Sequence, residues 1–168
     1  DKNNAYEALK NSVMLDERGQ KWMREYGYIP FDKENESVAK AMEYAIADWS
    51  VAEVAKAMGK DDDYNYFKQL SEGYKHYFDP ESRFMRGKDS NGKFREPFDP
   101  FHSVHRENDY TEGTAWQYTW LVPHDVDGLI VLFGSKEAFF NKFDFLFIVT
   151  GDMGEEASPD ISGLIGKY

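Results

Sequence analysis

Between Ser37 and Gly59 the apolar residues Val38, Ala41, Met42, Ala45, Ile46, Trp49, Ala52 and Met58 follow in steps of three and four. That spacing puts side chains on a shared helical face. Ser37 suits an N-cap and Gly59 a C-cap. At roughly 20 residues the helix is longer than most in globular proteins, and its wide stripe predicts neighbours on more than one side. Asp61, Asp62 and Asp63 then load acid onto the start of a second helix, whose face shows Tyr64, Phe67, Leu70, Tyr74 and Tyr77. The two predict a helical hairpin, and a chain organised on it falls into the all-α class, with hairpins packed side by side.

The remaining segments fit that plan with one exception. Residues Ala5 to Glu25 suit a helix broken near Gly19, and Tyr26 to Pro30 a loop. Asp79 and Pro80 end the second helix, and Asn91-Gly92 predicts a small β-hairpin over residues 83–95, because Asn-Gly accepts the positive φ of a tight turn. Two prolines make Glu96 to Phe101 an ordered loop. Helices are expected from Gly113 through Trp120, from Pro123 to about Phe133, and from a Ser135 cap to about Val149. An acidic loop, Gly151 to Ser158, leads to Asp160–Tyr168, which is too short to stand alone. No internal repeat is evident.

Composition removes several function classes. Lys and Arg number 20 against 31 Asp and Glu, a net charge of −11 that repels nucleic acid on average. No cysteine means no disulfide, thiolate or cysteine–zinc chemistry. The longest apolar run, Phe139 to Val149, is interrupted by Asn141, Lys142 and Asp144, so no membrane span is expected. The sequence opens at Asp1 without a leader, so a targeting segment is expected outside it.

From Asn108 to Trp120 two acids stand among hydroxyl, amide and aromatic side chains in a pattern no amphipathic face requires. A Glu112 carboxyl walled by Tyr110, Trp116 and Trp120 would lose hydration and hold its proton toward neutral pH, as a general acid must. The simpler alternative is a first-turn acid that steadies a helix dipole. His102 and His105 have the spacing of a metal pair but lack a third ligand, and the acids at Asp61–Asp63 and Glu155–Glu156 do not match a calcium loop. No phosphate loop, dinucleotide fingerprint or nucleophile elbow is present. Carboxylate chemistry remains: a glycosidase needs one protonated and one ionised carboxyl group. Asp99 and Asp109 are near Glu112 in sequence, which leaves their geometry open.

The stretches Gly27–Pro30, Ser37–Gly59, Tyr74–Lys88, Phe94–Phe101 with His105 and Arg106, Asn108–Ile130 and Asp160–Tyr168 together resemble glycoside hydrolase family 92, calcium-dependent exo-acting α-mannosidases. The resemblance implies one partial segment, residues 1–168, of an (α/α)6 toroid that removes terminal mannose with inversion. It implies that Glu112, in the block Tyr110-Thr111-Glu112-Gly113, is the general acid, with Trp116, Gln117 and His124 lining the cleft. It also implies calcium, held mostly by residues outside this sequence, and mannose-containing glycans as substrate, with α-1,2 linkage the expected one. Secretion to the periplasm or cell surface follows from the same likeness.

Thr114 stands where the family usually has Asn, which alters hydrogen bonding beside the acid. The family's His-Gly-Asn-Glu-Pro block and catalytic-base aspartates come after the part represented here, so the 168 residues alone are expected to be inactive. The alternative class is a non-catalytic helical glycan-binding or assembly module on the same scaffold. Helices taken from a closed toroid also predict self-association through uncovered apolar faces.

Overall fold

The computed structural model describes residues 1–104, 106–155 and 157; His105, Glu156 and the expected segment Asp160–Tyr168 lie outside the described residues. Helix α1 (Lys2–Val13) and α2 (Gln20–Tyr26) are separated by a break that ends at Gly19, whose φ of 87° needs glycine. Helix α3 (Ser37–Ala57) and α4 (Asp61–Ser71) form the expected hairpin, and α4 tightens into a 3₁₀ turn, Gly73–Tyr77. Strands β1 (Phe78–Asp79) and β2 (Phe84–Met85) pair antiparallel. Helices α5 (Ala115–Tyr118), α6 (Val126–Leu132) and α7 (Lys136–Leu146) complete the order. Among the described residues no helix is long and apolar enough to cross a membrane.

Helix α3 is buried along two stretches. Val38, Ala41, Met42 and Ala45 join a core with Tyr74, Tyr77, Phe78, Met85 and Trp116. Val51, Ala52 and Ala55 join a second with Tyr6 and Phe67. The alanines leave little side chain between α3 and its neighbours, so backbones approach closely and the large rings of α4 and the 3₁₀ turn fill the space.

Three expectations shift. Ser37 is the first helical residue, not the cap: Glu36 sits before it at φ 56°, and Ser37 Oγ donates to Asp109 Oδ1 at 3.1 Å. The β-hairpin is displaced, because Asp79 makes the turn itself. Its carboxylate accepts from the Glu81 and Ser82 N–H groups, the Ser82 hydroxyl and the Arg86 guanidinium. Asn91-Gly92 closes only an isolated bridge, Lys88 to Phe94. Helix α6 begins after Pro123, where Asp125 accepts from Gly128 N at 3.0 Å. Ser135 caps α7 as expected, accepting from Ala138 N at 3.0 Å, and that helix stops at Leu146.

Candidate functional site

The strap of residues 94–104 and 106–114 is irregular backbone held at both edges by side-chain bonds. Its lower edge rests on Arg86, a buried guanidinium bonded to Asp79 at 2.8 Å, to Glu96 at 2.7 Å and to the Arg95 carbonyl at 2.8 Å. The rings of Phe94 and Phe98 cover its faces at 5.1 and 4.3 Å. Above this wall opens a cleft of about 380 Å³ whose rim includes Glu96, Asp99, His102, Glu107 and Asp109.

Asp109 closes the other edge. Its carboxylate takes two bonds from Arg95, Nε to Oδ2 at 2.8 Å and Nη2 to Oδ1 at 3.0 Å. Its carbonyl accepts from Val38 N and Ala39 N, both at 3.0 Å, and the Asn108 carbonyl accepts from Glu36 N at 2.8 Å. The first turn of α3, which has donors and no side-chain cap, is thus satisfied by the strap. Next in sequence, buried Tyr110 donates its hydroxyl to Met85 O at 2.5 Å, and burial pushes that phenol's pKa well up, so it stays a donor.

Glu112 follows two residues later at φ 48°, a left-handed conformation that costs a non-glycine residue of order 1–3 kcal/mol. Both flanking carbonyls are pinned: Thr111 O accepts from Tyr118 Oη at 2.7 Å and Gly113 O from Ser103 Oγ at 3.0 Å. Thr114 N donates to Gln117 Oε1 at 2.9 Å, and a Cβ on Gly113 would stand 2.9 Å from that same oxygen. The Glu112 side chain is exposed.

The aromatic wall expected around Glu112 is absent, because α5 turns its rings inward. Trp116, 6% exposed, meets Phe84 edge-on at 4.8 Å with Phe101 and Phe145 beside it. Trp120 stacks on Phe133 at 5.6 Å, and Tyr110 lies under the strap. Lys142 lies across the same core rings, 3.3 Å from the Phe84 centroid, and burial pulls its ammonium pKa down to about 8. Of the residues expected to line a cleft, Gln117 braces the start of α5, Trp116 is in the core, and His124 sits at the end of α4, its Nε2 3.0 Å from Ser71 O. Burial also draws the His124 pKa down.

Asp99 and Asp109, left open by the sequence, do meet at one cleft. Asp99 is spent on its own turn, accepting from Phe101 N at 2.9 Å. Asp109 has both oxygens committed to Arg95 and Ser37. Arg95, Ser103 and Ser37 are the site-building residues that sequence reading missed; each acts across 10 or more positions, where no local pattern marks it. Among the described residues no group of three or more His, Asp or Glu is arranged to hold a metal ion.

Comparison with known proteins follows the same outline. The sequence profile of the glycosyl hydrolase family 92 catalytic domain matches residues 1–168. The structure of a family GH92 α-mannosidase from Bacteroides thetaiotaomicron in complex with mannoimidazole is 44% identical, with a TM-score of 0.85, and the match covers 90% of this chain and 21% of that one. A GH92 inverting mannosidase from the same organism is 32% identical at a TM-score of 0.80, again over 90% and 21%. A secreted glycosidase of Arthroderma benhamiae, itself uncharacterized, is 25% identical over 142 residues, 73% of this chain and 18% of that protein. The chain therefore spans about a fifth of the length of these relatives.

Proposed function

Because the chain belongs to glycosyl hydrolase family 92, we propose that it is a segment of the (α/α)6 catalytic domain of a larger, inverting exo-α-mannosidase, and that Glu112 is its proton donor. The carrying observation is the loop around Glu112. A strained backbone is fixed on both sides by side-chain anchors, Ser103 and Tyr118, while the Glu112 side chain itself is exposed. Strain that the surroundings over-determine is characteristic of sites whose side chain has work elsewhere.

In this reading Glu112 delivers a proton to the departing sugar oxygen, and the water that attacks the opposite face is activated by a carboxylate from another part of the enzyme. Desolvation of Glu112 also comes from that other part, because the chain's own aromatics face inward. Both Asp109 oxygens are bonded to Arg95 and Ser37, which suits a structural role rather than that of the base. Gln117 holds the acid loop through Thr114 N, Trp116 packs in the core, and His124 lies apart from the loop against the end of α4. The calcium of the proposed enzyme is assigned mostly to residues outside this chain, and no step is assigned to it. The α-mannosidases among the similar structures, one bound to mannoimidazole, support mannose-ended glycans as substrates, and N-glycans are the glycan class proposed. An α-1,2 linkage is the first to test. The secreted relative supports a location outside the cytoplasm.

The test is mannose release by the full-length enzyme from α-1,2-, α-1,3-, α-1,4- and α-1,6-linked dimannosides, with proton NMR following the first anomer formed. Glu112→Gln should lower turnover of a dimannoside by about 10²- to 10⁴-fold and spare an α-mannoside with a dinitrophenolate leaving group, which needs little protonation. Equal losses on both substrates contradict the assignment. The isolated 168 residues should release no measurable mannose; turnover near that of the full enzyme would show that this chain also holds the base.

A further inference from the structure

We propose that Asp109 is the positioning residue for the acid: with Arg95 it forms a clamp that sets where the Glu112 carboxyl stands. This rests on the reading of Glu112 as proton donor. Asp109 lies three residues before Glu112, is 4% exposed, and joins three otherwise separate parts of the fold. Its carboxylate binds Arg95 in a two-pronged pair and Ser37 Oγ at the start of α3. Its carbonyl takes the Val38 and Ala39 N–H groups. Its side chain lies so close over Gly87 that a Cβ there would come 2.2 Å from Oδ2.

The Arg95 guanidinium is fixed in turn by the Phe31 ring, 3.9 Å from its centroid. A carboxylate and a guanidinium joined by two bonds share one plane, so the pair fixes orientation as well as distance. Charge alone would need no such geometry. The strap leaves this clamp through Tyr110 and reaches Glu112 within two residues, too short a tether to absorb a shift at Asp109. A displacement of the clamp therefore moves the acid.

Replacing Asp109 itself leaves Arg95 unpaired and endangers the fold, so two indirect variants carry the test in the full-length enzyme. Gly87→Ala crowds the Asp109 carboxylate while keeping every charge, and Arg95→Lys keeps a positive charge beside the buried carboxylate while removing the two-pronged geometry. Each should cut turnover of a dimannoside on the order of 10²-fold, the penalty expected of a misplacement near 1 Å, while leaving KM and dinitrophenyl mannoside turnover within about threefold. Thermal melts check the fold of each variant, and either variant that folds carries the test.

Equal losses on the two substrates, or none, would overturn the clamp as a positioning device. Glu112→Gln runs beside them as the control. If that variant discriminates between leaving groups and the clamp variants do not, Asp109 alone loses its role; if Glu112→Gln itself fails to discriminate, the acid assignment falls and takes this proposal with it.

Discussion

Asp48 shows what one side chain costs this fold. It lies on α3, 4% exposed, against a cavity of about 10 Å³ lined by Met23, Arg24, Tyr44 and Leu70, space for about one water. Burial pushes its carboxyl from 3.8 up to about 7, with the Arg24 charge pulling the other way. Arg24 is a weak counterweight because its guanidinium is already bonded to Asp16 and reaches the Val13 carbonyl. The folded state therefore holds a proton that the unfolded chain has released, so stability falls as pH rises from about 4 to about 7 and levels off above. The gap corresponds to a penalty on the order of 4 kcal/mol at alkaline pH. Asp48→Asn should raise the melting temperature at pH 8 and change it little at pH 4. Equal shifts at the two pH values would show that the carboxyl is not the buried, protonated group described.

Side-chain acceptors decide where the elements begin, and that governs what the sequence could reveal. Asp125 caps α6 and also accepts the Tyr74 hydroxyl at 2.8 Å, while a Cβ on Gly128 would stand 2.2 Å from its Oδ2. Asp125→Ala should cost about 1–2 kcal/mol for the cap alone, measured by denaturant unfolding, and more with the Tyr74 hydroxyl left bare. A loss below about 0.5 kcal/mol would mean that water replaces both bonds. The α3–α4 hairpin was legible because its periodicity is local. The start of α6 was not, because Asp125 outcompetes Pro123 through a partner 51 residues away. The strand pairing was misplaced for a similar reason, since the Asp79 carboxylate organises a turn that carries no Asn-Gly signature. At the site, Glu112 stood out in sequence by its company, yet those aromatic neighbours belong to the core. What marks the position physically is positive φ and two pinned carbonyls, neither of which a sequence displays.

At the scale of the whole molecule, the three most exposed large apolar residues among those described lie late in the chain, Val131 at 75%, Ile148 at 71% and Phe140 at 51%, with Phe145 and Phe147 also uncovered. Such side chains on α6, α7 and the turn after it await a partner surface. The isolated 168 residues should self-associate, and more so in high salt, where the net charge of −11 no longer holds copies apart. Light scattering that gives a monomer at both low and high salt would contradict this. The central claim of the proposed function is that the Glu112 carboxyl, exposed in this chain, is enclosed by the rest of the enzyme. A crystal structure of the full-length protein with a non-hydrolysable α-mannoside tests it most directly. Glu112 should stand shielded from bulk water, about 2.6–3.2 Å from the atom in the place of the glycosidic oxygen; a Glu112 side chain still in solvent, far from the sugar, would contradict the account.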